Sequence, residues 1–171
     1  MTFPIDIFLQ PGEVYFGDRD TRIRTLLGSC VAVTWWHPRL QIGAMCHYLL
    51  PERPRSRPRR EGPLDGRYAD EAFQVVMRYI QAAGTLPADY QVKMFGGSQT
   101  MVSPSAKPGG VGERNIEYGK SWLFDHGFRV SREHLAGQGH RHIVFDLANG
   151  DVWVRFQPQA IEAPVQKRTK K

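Results

Sequence analysis

A chain of 171 residues with 41% hydrophobic content is long enough to bury a sizeable core, and no second-domain linker interrupts it. No stretch of eighteen consecutive apolar residues is present, and Met1-Thr2-Phe3-Pro4-Ile5-Asp6 lacks a basic segment followed by an apolar run, so membrane insertion and secretion are not expected. The net charge of +6 raises nucleic-acid binding as a class, to be weighed where the basic residues fall.

Residues 1–11 read as an N-terminal extension and 12–158 as the folded domain. Val31 to Trp36 and Ile42 to Tyr48 read as strands, being rich in β-branched and aromatic residues, and the polar Pro-containing segment between them marks a hairpin. A two- or four-residue loop centred on Pro38-Arg39 sets Cys30 opposite His47 across the ladder. The same register puts Val31, Val33, Trp35, Ile42, Ala44 and Cys46 on one wholly apolar face. Cys30, Ala32, Thr34, Trp36, Gln41, Gly43, Met45 and His47 fall on the other. Cys46 then reads as a packing thiol and Cys30 as the reactive one. With the two cysteines on opposite faces no disulfide is expected, which fits a reducing cytoplasm. A thiol becomes a nucleophile as thiolate, and a neighbouring imidazole can take its proton and return it to a leaving group. Spacing alone equally fits a buried cysteine and a hydrogen-bonded structural histidine, the commoner use of both residues.

Further along, Arg53-Pro54-Arg55-Ser56-Arg57-Pro58-Arg59-Arg60 has prolines that block a helix and no interleaved aromatics for base stacking. It reads as a solvated segment, or as one that steers an acidic partner, rather than as a nucleic-acid site. Ala69 to Ala83 carries Ala72, Phe73, Val76, Met77 and Ile80 at helical spacing, with Gly84 where a helix would stop. Tyr90 to Phe95 reads as a strand, and the Gly96-Gly97 pair after it needs a sharp turn or a close approach. Ser103 to Gly112 is a loop, and Asn115 to His126, carrying Ile116, Trp122 and Leu123, a second helix. Neither GxGxxG nor GxxxxGK[ST] occurs, so no nucleotide cofactor is expected. Phe128 to Val130 begins a strand. His142 to Leu147 and Asp151 to Phe156 flank Asn149-Gly150, a type I′ hairpin signal. His140 and His142 alternate with Arg141 and have no third ligand nearby, which favours exposed strand residues over a metal site. Residues 159–171, ending in Lys167-Arg168-Thr169-Lys170-Lys171, read as a basic, disordered tail. Several strands with two main helices argue for an α+β fold, a layered sandwich.

Thr25-Leu26-Leu27-Gly28-Ser29-Cys30-Val31-Ala32-Val33 with His47-Tyr48-Leu49-Leu50-Pro51 resembles the signature of the CheD family of chemoreceptor glutamine deamidases. Arg67-Tyr68-Ala69-Asp70, Lys93-Met94-Phe95-Gly96-Gly97-Ser98 and Val111-Gly112-Glu113-Arg114-Asn115 are similar to further blocks of that family, in the same order. The resemblance implies an α-β-β sandwich of mainly antiparallel sheets, similar to the glutamine-deamidating bacterial toxins. It also implies hydrolysis of glutamine side-chain amides on chemoreceptor signalling helices, in the cytoplasm and without a cofactor.

In the implied chemistry Cys30 is the nucleophile, His47 the acid and base, and a thioester the intermediate. Backbone N–H groups at Gly28 and Ser29 are candidate oxyanion donors, although Gly28 equally suits a bulge or a close strand approach. The family's third site residue maps onto Thr25, five residues before Cys30; some members place it six before, where Arg24 stands. Gly96 and Gly97 are expected close to the site. The resemblance further implies binding to receptors and, in some bacteria, to the CheC phosphatase, which leaves a non-catalytic adaptor as the alternative.

Overall fold

A computed structural model describes residues 3–59, 61–99 and 109–160 of the chain. Arg60, most of the Ser103 to Gly112 loop and the tail from residue 161 onward lie outside the described residues.

The described residues form nine strands and two α-helices: β1 (Ile5–Phe8), β2 (Val14–Asp18), β3 (Thr21–Leu27), β4 (Val31–His37), β5 (Ile42–Tyr48), α1 (Ala69–Ala82), β6 (Gln91–Gly96), α2 (Val111–Asp125), β7 (Val130–Leu135), β8 (Gly139–Asp146) and β9 (Val152–Pro158). The strands make two sheets, in the order β1-β3-β8-β9 and β2-β5-β4-β6-β7. Pairing is antiparallel except for β1 with β3 and β6 with β7. One core lies between the helices and the five-stranded sheet, where Phe73, Val76, Ile80 and Leu123 meet Val31, Val33, Trp35, Ala44, Cys46 and Tyr48. A second lies between the sheets, built from Leu9, Ile23, Leu27, Ala32, Met45, Phe95, Ile143 and Phe145. The architecture is therefore an α+β layered sandwich, as the element pattern implied, with the α-β-β order that the resemblance implied.

Burial explains why β4 and β5 read as nearly unbroken apolar runs. They are central strands covered on both faces, so neither has a solvent side to fill with charge. The helix α1 turns Ala72, Phe73, Val76 and Ile80 inward, and Phe73 meets Trp35 and Tyr48 edge-on at 5.6 and 5.5 Å between ring centres.

Three local expectations change. The β4–β5 ladder pairs Val31 with Tyr48 and His37 with Ile42, so the four-residue loop is centred on Arg39-Leu40 rather than Pro38-Arg39. Gln41 sits in the left-handed region at φ 51° and donates its N–H to His37 O at 2.8 Å, closing the wider turn. His47 is consequently opposite Ala32, not Cys30. In the β8–β9 hairpin Asn149 does not have the positive φ that a type I′ turn demands, and the connection is longer than two residues. Leu147 is pulled into the core there: its N–H donates to Thr21 O, and its carbonyl accepts from Trp36 Nε1 at 2.9 Å. Finally, the segment before residue 12, expected as an extension, supplies β1 and the buried Leu9.

Candidate active site

One end of the sandwich collects the chemistry-bearing residues. There β3 ends and crosses from one sheet to the other through Gly28-Ser29-Cys30, β4 begins, β5 ends at His47-Tyr48, β6 ends at Gly96, and α2 starts.

His47 lies on the inter-sheet face of β5 and is 1% exposed. Burial pushes its imidazole down to about 4, so the ring is neutral near pH 7. Thr25, on the inward face of β3, reaches across the gap and places its Oγ1 2.7 Å from His47 Nδ1. The same hydroxyl donates to Leu9 O at 2.8 Å. A hydroxyl has one proton, so with that proton committed to Leu9 it accepts from Nδ1–H. The lone pair of the neutral ring is thereby left on Nε2, the arrangement a general base requires. Arg24, the alternative position, is on the outward face, with Asp6 3.5 Å away.

Cys30 immediately precedes β4, on the same face as His47 but two positions along from its direct partner Ala32. Diagonal neighbours of this kind are roughly 7–8 Å apart at the backbone, a separation that an aromatic ring such as imidazole can span. Among the described residues no hydrogen bond joins the two side chains in this resting geometry; such contacts commonly tighten only with substrate in place. Burial raises the Cys30 thiol above its ordinary value, although the residue is half-exposed. Cys46 is fully buried in the helix-side core, and its thiol is pushed up to about 12. The division of the two cysteines between the faces follows the strand parity.

The turn carrying Cys30 has an asymmetric hydrogen-bond pattern. Gly28 O accepts from Ser98 N–H at 2.9 Å, Cys30 O from Gly97 N–H at 2.9 Å, and Ser29 O from Asn115 Nδ2 at 3.2 Å. Among the described residues the N–H groups of Gly28, Ser29 and Cys30 make no hydrogen bond to another residue, and the Cys30 N–H faces its own Sγ. Gly96 and Gly97 make this packing possible. Gly96 has φ 108° and lies so close to the Cys30 carbonyl that a Cβ would collide with it, and Gly97 has φ 68°.

Sequence reasoning did not single out Asn115 or Ser98 as site residues. A signal for Asn115 was present: with Gly112, Gly119 and Leu123 it lies on the buried stripe of α2, where a polar side chain needs a reason. Of the arginine-rich stretch, Arg53 is bound to the buried Glu71 through Nε–Oε2 and Nη2–Oε1 contacts of 2.6 and 3.1 Å, while Arg55, Arg57 and Arg59 are exposed. His140 is exposed and His142 half-exposed on β8; among the described residues no three His, Cys, Asp or Glu side chains cluster as a metal site. No described helix is long and apolar enough to cross a membrane.

Comparison with known proteins gives a consistent picture. A family model described as CheD chemotactic sensory transduction matches residues 49–156, a span that begins two residues after His47. A protein of Pseudomonas savastanoi pv. phaseolicola named probable chemoreceptor glutamine deamidase CheD is 47% identical over 169 residues, covering 97% of this chain and 93% of its own. One from Dechloromonas aromatica, named probable chemoreceptor glutamine deamidase CheD 3, is 45% identical over 94% of this chain and 92% of its own. A third, from Albidiferax ferrireducens and named probable chemoreceptor glutamine deamidase CheD 2, is 49% identical over 88% and 86%.

Proposed function

The chain belongs to the CheD family, and from that premise we propose that it is a chemoreceptor glutamine deamidase, a thiol amidohydrolase using Cys30, His47 and Thr25. The observation that carries the mechanism is the Thr25–His47 contact at 2.7 Å, with the Thr25 proton committed to Leu9 O.

Cys30 Sγ attacks the side-chain carbonyl carbon of a receptor glutamine as its proton passes to His47 Nε2. Because burial raises the thiol and lowers the imidazole, the resting pair is neutral, and proton transfer accompanies attack rather than preceding it. The oxyanion is met by amide N–H groups of the Gly28-Ser29-Cys30 turn, whose carbonyls are held by Ser98, Asn115 and Gly97. Imidazolium returns the proton to the amide nitrogen, ammonia leaves, and a thioester remains. Neutral His47 then takes a proton from water, hydroxide adds to the thioester carbonyl, and the C–S bond breaks to give glutamate as the imidazolium returns its proton to Cys30 Sγ. Gly96 and Gly97 act by packing the turn into place.

The substrate partner is the cytoplasmic helical region of a chemoreceptor, and the site of action is the cytoplasm. Binding to a CheC phosphatase, where one exists, is proposed on the family resemblance alone. The test incubates the protein, and separately its Cys30→Ser variant, with a receptor cytoplasmic fragment and reads each glutamine by peptide mass spectrometry. A gain of about 1 Da, the difference between glutamine and glutamate, at defined sites with wild type only is the expected result. Binding without any mass change would replace the enzyme by an adaptor.

A further inference from the structure

We infer that Asn115 is a positioning residue of this site: by holding the Ser29 carbonyl it aims the Cys30 N–H at the oxyanion. The inference rests on the reading of Cys30 as an acyl-accepting nucleophile.

Asn115 is fully buried near the start of α2, and its Nδ2 donates twice, to Ser29 O at 3.2 Å and to Leu49 O at 2.8 Å. One carbonyl belongs to the residue before Cys30 and the other to the second residue after His47. A single amide group therefore ties the turn of the nucleophile to the strand of the base. The side-chain orientation is dictated by these contacts, since the flipped amide would set its oxygen against two carbonyl oxygens. Oδ1 is consequently buried with no partner among the described residues. An apolar side chain would avoid leaving that acceptor unsatisfied, so the residue is accounted for by its two donations rather than by stability.

The consequence for Cys30 follows from peptide geometry. The C=O and N–H of one trans peptide unit point in opposite directions, and no described peptide bond is cis. Drawing Ser29 O toward α2 therefore turns the Cys30 N–H away from it and toward its own Sγ, with no acceptor on another described residue. The helix is held at the distance this requires. Tyr48 Oη donates to the backbone carbonyl of Asn115 at 2.6 Å, and Gly112 lies so close to β6 that a Cβ there would stand 2.5 Å from Gly97 O.

Two small probes separate aiming from mere access to the thiol. p-Nitrophenyl acetate acylates Cys30 through a tetrahedral oxyanion: the S–C bond forms, the ester C–O bond breaks with its electrons leaving on p-nitrophenolate, and the thiol proton passes to His47. Iodoacetamide alkylates the same sulfur by direct displacement of iodide and forms no oxyanion. Both adducts are counted at Cys30 by peptide mass spectrometry, against a Cys30→Ser background. In Asn115→Ala and Asn115→Asp, acylation is expected to fall roughly 10- to 100-fold while alkylation stays within about two-fold, an effect at or below that of deleting one oxyanion donor. An unchanged ratio of the two rates overturns the inference. Tyr48→Phe loosens the same helix without touching the Ser29 carbonyl and should keep the wild-type ratio; an equal fall there would assign the effect to helix placement and overturn the inference as well.

Should neither Asn115 variant fold, the unaltered chain decides. In the acetaldehyde hemithioacetal the Cys30 amide proton resonance should move downfield relative to carboxamidomethylated Cys30, and coincident resonances would refute the aiming. The receptor-fragment assay is scored separately. A wild type that acylates normally but leaves every receptor glutamine intact removes the deamidase reading and leaves the role of Asn115 standing.

Discussion

Replacing Thr25 with valine preserves the shape of a fully buried side chain and removes one hydroxyl. That hydroxyl has two partners, Leu9 O at 2.8 Å and His47 Nδ1 at 2.7 Å. Valine leaves a carbonyl oxygen and an imidazole N–H buried without partners. Each such group costs about 1–3 kcal/mol, and the conserved volume adds no cavity term, so a loss of about 2–6 kcal/mol is expected in urea denaturation. The fold should survive, because domains of this size commonly hold about 5–15 kcal/mol. The effect on turnover is larger. With nothing holding the proton on Nδ1, Nε2 is no longer reserved as the base, and kcat on a receptor fragment should fall about 10²- to 10⁴-fold, the range a positioned acid–base supplies. Thr25→Ser keeps the hydroxyl and gives up one buried methyl, so it should cost about 1 kcal/mol and stay within roughly tenfold of wild-type kcat. A valine variant within a few-fold of wild type, or a serine variant as impaired as valine, would refute the assignment.

The depressed pKa of His47 also predicts a pH-dependent stability. Its folded value, about 4, lies below the ordinary 6.5, so on acidification the unfolded chain takes up the proton first. The contribution is intact above pH 6.5 and is lost as pH falls through the window from 6.5 to about 4, amounting to about 3 kcal/mol. Wild type should lose that much more than His47→Gln between urea titrations at the two ends of the window; parallel losses would contradict the buried neutral ring. Gly96→Ala forces a methyl against the Cys30 carbonyl at φ 108° and should cost more than about 2 kcal/mol, whereas Gly84→Ala, at φ 68° in open space, should cost about 1 kcal/mol. Equal melting shifts for the two would show that the Gly96 contact is not a constraint. Native protein treated with iodoacetamide should carry label at Cys30 and none at Cys46 until it is unfolded; early label at Cys46 would count against the buried, high-pKa thiol.

Strand parity was legible in the sequence because a side chain's face depends only on alternation. The true β4–β5 register differs from the expected one by two residues, which leaves every residue on its anticipated face and still changes which residue stands opposite His47. The turn position responsible was set by a left-handed Gln41, a residue type that does not announce that conformation. In the same way, Asn149-Gly150 is a local signal for a tight turn that the burial of Leu147 outweighed.

The residues of this chain determined, through composition and alternation, an α+β sandwich with Cys30 and His47 on one face of a hairpin and Cys46 on the other. Which threonine or arginine meets His47, and what holds the Cys30 turn, depended on contacts between elements far apart in sequence. Thr25 reaches His47 only because β3 and β5 belong to different sheets facing each other across a common core. Asn115 reaches Ser29 and Leu49 only because α2 begins where β4 and β6 meet. Hydrogen bonds act over about 3 Å, and only the folded chain brings such groups within that distance.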